Sequence, residues 1–175
     1  DSFDLKLRIV NGQLKDSVVG SEKWLNTFIT VDRDMLAMKE DVLKLSKCPD
    51  EVLITGETGT GKETIARSMI GDREGRFVAV NCAGLPETLI ESELFGYVKG
   101  SFTGADGTKQ GLLAAASNGV IFFDEIGEFP LGVQAKLLRA LQDKKIRRVG
   151  GKDEEDINCK FVFATHRDIK GMVST

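Results

Sequence analysis

The stretch Gly56-Glu57-Thr58-Gly59-Thr60-Gly61-Lys62-Glu63-Thr64 constrains the fold of this chain more than any other. Before it runs Glu51-Val52-Leu53-Ile54-Thr55, apolar and β-branched, which reads as a buried strand. After it, apolar residues at 65, 66, 69 and 70 carry helical spacing. Strand, glycine-rich turn and helix are the context that a phosphate-binding loop needs. Glycines permit the tight turn and bring backbone N–H groups close to phosphate oxygens. The helix N-terminus adds its dipole, and Lys62 can place an ammonium on the β- and γ-phosphates. In the strict pattern a Ser or Thr follows the lysine and binds Mg²⁺ through its hydroxyl. Here Glu63 stands in that place and Thr64 comes one position late. From these residues alone, a glycine turn before a helix with a chance lysine stays open as the alternative.

A hydrolysis site needs a second half, and the sequence offers one. Val120-Ile121-Phe122-Phe123 is followed by Asp124-Glu125, so a buried strand delivers two carboxylates to its end. Asp124 can hold Mg²⁺, directly or through water, and Glu125 can polarise the attacking water as general base. Taken alone the pair also reads as solvated acids at a strand end. The 56–64 loop tips the balance to chemistry. Two further buried strands end on polar residues: Phe77 to Val80 on Asn81, and Cys159 to Ala164 on Thr165-His166-Arg167-Asp168. In open α/β sheets, ligands sit at the carboxyl ends of parallel strands.

Between the strands the pattern is helical. Met35, Met38, Val42 and Leu45 mark a helix over 32–47, with the methionines read as core. Pro86 opens another, with Leu89, Ile90 and Leu94 on one face. Residues 111–117 read as a short helix, and Pro130 opens one more with Leu131, Ala135, Leu138 and Leu141 on one face. The acidic run 153–156 reads as a solvated loop. Alternation over residues 3–9 predicts a half-buried strand, Asn11-Gly12 a turn, and Val18-Val19-Gly20 with Trp24 to Ile29 a segment packed on a larger body. Gly100-Ser101-Phe102-Thr103-Gly104-Ala105 sets an aromatic between glycines; partner contact and plain burial of Phe102 are both open readings.

Composition excludes several function classes. A net charge of −3 and a pI near 5.3 argue against a chain whose main task is holding nucleic-acid phosphates. Cys48, Cys82 and Cys159 are far apart, and His166 is the one histidine, so a zinc cage is excluded. Free thiols fit a reducing cytosol and predict a cytoplasmic location. No apolar run reaches the roughly 18–20 residues that span a bilayer, and no membrane partner is expected.

With these residues in view the chain resembles the AAA+ ATPase domain of sigma-54-dependent transcriptional activators, the bacterial enhancer-binding proteins. The motifs are GETGTGKE at 56–63, Val80-Asn81-Cys82-Ala83, Glu93 to Gly96, GSFTGA at 100–105, FFDEIGE at 122–128, Gln134 to Arg139, Arg148 to Gly151 and Ala164-Thr165. They run in the family's order from about residue 31 to 171, and GSFTGA is close to unique to the family. The resemblance implies an α/β fold, a P-loop AAA+ three-layer sandwich with a mainly parallel sheet. It divides the chain into 1–30, a linker or the edge of a preceding domain, and 31–175, the ATPase core.

It also implies roles. Gly56, Glu57, Thr58, Gly59, Thr60, Gly61, Lys62 and Glu63 form the Walker A loop around ATP. Asp124 and Glu125 form the Walker B pair, with Asp124 and Glu63 as candidate Mg²⁺ ligands and Glu125 and Lys62 as catalytic groups. Asn81 matches the asparagine that holds or releases the catalytic glutamate. Thr165 and His166 fall at sensor I, where they contact nucleotide. Phe102 and Thr103 match the tip of the loop that contacts sigma-54, and Arg148 lies in the neighbouring surface loop. The family works as hexameric rings that remodel sigma-54 RNA polymerase holoenzyme, with DNA bound by a separate domain. A regulatory nucleotide-binding module without turnover is the alternative; a nucleic-acid motor is disfavoured by GSFTGA and the acidic balance.

Departures from the family pattern are also expectations. His166 replaces the usual Asn, and its neutral imidazole still offers a hydrogen bond. Tyr97-Val98 replaces a polar pair. The arginine fingers, last core strand, helical lid and sensor II are not in these 175 residues, so the isolated chain is expected to bind ATP weakly and hydrolyse it poorly. Residues 3–10 are expected to cover the sheet edge that 51–55 would otherwise expose.

Overall fold

The computed structural model describes residues 6–9 and 31–167. The expected turn at Asn11-Gly12, the packing of 18–29 and the placement of Asp168 lie outside the described residues.

Helix α1 (Arg33–Lys47) starts on Asp32, whose carboxylate accepts from the Met35 backbone N–H at 3.0 Å and so satisfies one open donor of the first turn. It leads into β2 (Val52–Thr55), the glycine loop, α2 (Lys62–Ser68) and β3 (Phe77–Asn81). Helix α3 (Glu87–Phe95) precedes two short strands, β4 (Gly96–Tyr97) and β5 (Lys109–Gln110). Then come α4 (Leu112–Ala115), β6 (Val120–Asp124) and α5 (Leu131–Asp143). The strands β7 (Lys145–Arg147), β8 (Glu154–Asp156) and β9 (Lys160–Thr165) close the described part, and β1 (Lys6–Ile9) opens it.

Five of these strands make one sheet, in the order β1-β2-β9-β6-β3. Strands β2, β9, β6 and β3 are parallel, while β1 runs antiparallel to β2 with Leu7 opposite Ile54. Residues 6–9 therefore cover the edge of β2, within the 3–10 that were expected to. Because side chains alternate across a strand, β3, β6 and β9 feed two cores, while β2 feeds one. Val52, Ile54, Val120, Phe122, Val162 and Ala164 face α1 and α2, meeting Val42, Leu45, Ile65 and Met69. Ile121, Phe123 and Phe161 face the other layer and meet Ile90, Leu94, Leu113, Val133 and Leu137. The result is the three-layer α/β/α sandwich of the mainly parallel type. At the floor, buried Lys160 donates to the carbonyls of Cys48 (2.8 Å) and Asp50 (2.7 Å), which tethers β9 to the end of α1.

Three expectations need correction. Of the expected Leu89, Ile90 and Leu94, the last two are buried together with Phe95, while Leu89 is 45% exposed. On α5 the buried residues are Val133, Leu137 and Ala140; Leu131 (82% exposed) and Leu138 (54%) point away. Both faces of α5 carry apolar residues at the same helical interval, so spacing alone could not choose between them. The acidic run 153–156 is not all loop: Glu154–Asp156 pairs with Lys145–Arg147, where opposite charges face each other, as in the Arg147–Glu154 contact at 3.2 Å.

Candidate nucleotide site

The loop between β2 and α2 is held at both ends by the sheet and by itself. The Gly56 N–H donates to the Thr165 carbonyl of neighbouring β9 at 3.3 Å. The Thr60 hydroxyl donates to the Glu57 carbonyl at 2.8 Å. Gly59 and Gly61 sit at φ of 81° and 86°, the left-handed region that side chains with a Cβ rarely adopt. Lys62, only 7% exposed, folds back into the loop. Its Nζ donates to the carbonyls of Gly56 and Glu57, each at 3.0 Å, and lies 3.5 Å from Glu125 Oε1. The Lys62 ammonium is thus a buried cation held inside the loop by two carbonyls and one carboxylate.

Strand β6 brings the acids to the same sheet edge. Asp124 lies in register with Asn81 of β3. Its Oδ1 is buried without a hydrogen-bond partner among the described residues. Burial pushes the Asp124 carboxyl up, and the Lys62 ammonium opposes that rise. A buried, partnerless carboxylate oxygen is costly unless a cation or donor meets it, so Asp124 fits a Mg²⁺ ligand. No cluster of three or more His, Cys, Asp or Glu able to hold a metal occurs among the described residues.

Glu125 follows at φ 56°, a left-handed backbone that is rare outside glycine and clusters at functional sites. Its Oε2 accepts from the His166 backbone N–H at 3.1 Å and lies 2.7 Å from His166 Nδ1. Burial pushes the Glu125 carboxyl up, but the His166 N–H and ring together with Lys62 outweigh it and hold it below the usual glutamate value. Cys82, buried behind these acids, is pushed up to about 12, by burial first and by Asp124 next, so its thiol stays protonated.

The remaining expected residues are placed as follows. Asn81 stands beside Asp124, but its Oδ1 accepts from the Ala83 N–H at 3.1 Å and caps the turn Cys82–Gly84. Among the described residues the partners of Glu125 are Lys62 and His166; Asn81 is not brought to it. Glu63 turns along its helix and binds Arg67 at 2.7 Å, so its carboxylate is not joined with Asp124 here. Thr165 is buried and its hydroxyl accepts from the Arg167 N–H at 3.1 Å. Glu57, Thr58, Gly59 and Thr60 line the turn itself. One contact escaped the sequence: Arg167 pairs with Glu128 and donates to the Gly127 carbonyl at 3.3 Å, tying the segment after β9 to the turn after β6. Its signal was opposite charge just past the ends of two strands, legible only once those strands are neighbours.

The GSFTGA loop spans β4 and β5. Phe102 is 42% exposed and packs edge-on against Tyr97, with ring centroids 5.0 Å apart, so it is neither core nor free. Thr103 is exposed beside it. The loop is coupled to the second one: the Val98 N–H donates to the Val149 carbonyl at 3.2 Å, and the Val149 N–H to the Gly96 carbonyl at 2.9 Å. Arg148 binds Glu155 at 2.9 Å. Leu89, Phe102, Thr103, Pro130, Val133 and Val149 line a groove of ≈ 710 Å³ at this face.

Residues 28–175 match the family model of the sigma-54 interaction domain. The chain is 47% identical over 142 residues to the regulatory protein AtoC of Escherichia coli (strain K12), covering 79% of this chain and 31% of AtoC. It is 42% identical over 170 residues to the response regulator PilR of Pseudomonas aeruginosa, covering 95% of this chain and 37% of PilR. Its fold is similar to crystal structures of NtrX from Brucella abortus. One matches with a TM-score of 0.74 and 29% identity over 88% of this chain and 34% of NtrX. Another, of NtrX in complex with ATP, matches with a TM-score of 0.73 and 28% identity over 84% of this chain and 32% of NtrX. The chain thus spans about a third of the length of these relatives.

Proposed function

We propose, from the premise that the chain belongs to the sigma-54 interaction domain family, that it binds ATP with Mg²⁺, hydrolyses it, and uses the cycle to remodel sigma-54 RNA polymerase holoenzyme in activating transcription. The observation that carries this reading is the meeting, at one sheet edge, of the Lys62 ammonium, the buried partnerless oxygen of Asp124 and the carboxylate of Glu125.

The loop 56–61 would receive the triphosphate on its backbone N–H groups. Lys62 would exchange the carbonyls of Gly56 and Glu57 for phosphate oxygens. Asp124 would hold Mg²⁺, which when bound neutralises charge on the phosphates. Glu125 would take a proton from the attacking water, which requires one of its oxygens to be free of its present partners. Glu63, Thr165 and His166 border this space and are assigned supporting contacts to nucleotide or metal. Asn81 is assigned the part of a second holder of Glu125, reached if the Cys82–Gly84 turn releases its side chain.

The output side is the loop bearing Phe102 and Thr103, backed by Arg148 in the neighbouring loop. Hydrogen bonds between the two loops at Val98 and Val149 would make them move together. Assembly into a hexameric ring, DNA binding through a separate domain and a cytoplasmic location belong to the same reading; among the described residues no helix is long and apolar enough to cross a membrane.

The test separates input from output in the intact protein. Lys62→Ala should lose ATP binding and with it sigma-54 engagement. Thr103→Ala should keep ATP hydrolysis while losing capture of sigma-54. If Thr103→Ala captures sigma-54 as wild type does, the output assignment is wrong.

A further inference from the structure

Glu125 and His166 come from neighbouring parallel strands, β6 and β9, with Phe123 opposite Phe163. Two residues further on, the left-handed backbone of Glu125 brings its carboxylate to the residue after Thr165. His166 then grips one oxygen twice: backbone N–H to Oε2 at 3.1 Å and ring Nδ1 to Oε2 at 2.7 Å. A carboxylate only accepts, so Nδ1 carries the hydrogen in this contact. The other oxygen faces Lys62 Nζ at 3.5 Å. Both oxygens of the group assigned as base are therefore engaged. The asparagine that the family resemblance assigns to this duty turns its Oδ1 to the Ala83 N–H, and the hydrogen bonds to the Glu125 carboxylate come from His166.

We infer that His166 is a positioning residue: it holds Glu125 in a resting pose, so that the base is released only after Lys62 has moved onto a phosphate. The inference rests on the hydrolysis reading above and deepens it by naming what restrains the base. A base held by two donors on one oxygen and a cation on the other is a poor proton acceptor toward water. Movement of Lys62 removes one restraint, and His166 is the other. Asparagine at 166 would keep part of the grip, because its amide nitrogen hangs from Cγ as Nδ1 does. Leucine would keep only the backbone N–H.

Two measurements on the intact protein test this. The first is the imidazole ¹⁵N spectrum of His166 without nucleotide, assigned by comparison with His166→Asn. The hold predicts a hydrogen-bonded, protonated Nδ1 whose resonance moves in Glu125→Gln; an unmoved resonance overturns it. The second is single-turnover ATP hydrolysis without sigma-54, with affinity for a fluorescent ATP analogue measured in parallel. His166→Leu should hydrolyse faster by about tenfold, the scale of one hydrogen bond to a charged group. His166→Asn should lie closer to wild type than to His166→Leu. A slower or unchanged His166→Leu overturns the hold. Should the wild type hydrolyse no ATP, the hydrolysis reading fails, while the imidazole spectrum still decides whether His166 grips Glu125.

Discussion

Asp124 carries a cost that only a ligand removes. Its Oδ1 is buried without a partner, and burial raises its carboxyl against the pull of Lys62. Asp124→Asn should therefore stabilise the nucleotide-free protein by about 1 kcal/mol, read as a higher melting temperature, while abolishing Mg²⁺-dependent hydrolysis. A lower melting temperature would show that the carboxylate has a partner there. Lys160 makes the opposite case, a buried charge with partners. Burial first, and Arg73 next, push it down to about 8 from 10.5. Between those values the unfolded chain holds more protons than the folded one, so Lys160 makes stability rise with pH through that window. Measured against Lys160→Met by denaturant unfolding, the wild type should gain about 1–3 kcal/mol between pH 8 and 10.5. A difference that stays flat with pH would contradict the assignment. The meeting of Lys62, Asp124 and Glu125 at one sheet edge was legible in the sequence because each sits at a fixed offset from an apolar strand. The pairing of His166 with Glu125 and of Arg167 with Glu128 was not, since these contacts depend on β6 and β9 being neighbours.

At the scale of elements, the helices divide by which face they bury. Helix α5 carries Leu131, Ala135 and Leu138 at one helical interval and Val133, Leu137 and Ala140 at the same interval two residues on. The sheet chooses the second set. Leu137→Ala should cost about 2–5 kcal/mol in urea unfolding, and Leu138→Ala less than about 1 kcal/mol. Equal costs would mean the helix is rotated from the position described. Strands were read more surely than helix faces, because a buried run such as Val120 to Phe123 is apolar on both sides and needs no choice of face. The short pairs β4–β5 and β7–β8 carry no such signal. Gly96 is instead fixed by contact: a Cβ there would lie 2.4 Å from the Lys109 carbonyl oxygen, a closeness visible only in the folded loop.

At the scale of the molecule, one sheet edge gathers the ends of β2, β3, β6 and β9, and the loops tied at Val98 and Val149 extend from the layer of α3 and α5. That layer packs on the same strands that carry the acids, through Ile90, Leu94 and Leu137 against Ile121 and Phe123. The physical link between the nucleotide edge and the GSFTGA loop is thus a shared core rather than a flexible tether. The family's motifs made this architecture legible from the sequence, and the cover on the edge of β2 was legible too, while its antiparallel register, Leu7 opposite Ile54, needed the pairing itself to be seen. Glu125 as the base that drives hydrolysis of ATP held by Lys62 is tested by single-turnover hydrolysis of ATP with Mg²⁺ in the intact protein, wild type against Glu125→Gln, with ATP affinity measured alongside. Glu125→Gln should bind ATP within about threefold of wild type and hydrolyse it at least about 100-fold more slowly. Equal hydrolysis by the two proteins, or none by the wild type, would contradict it.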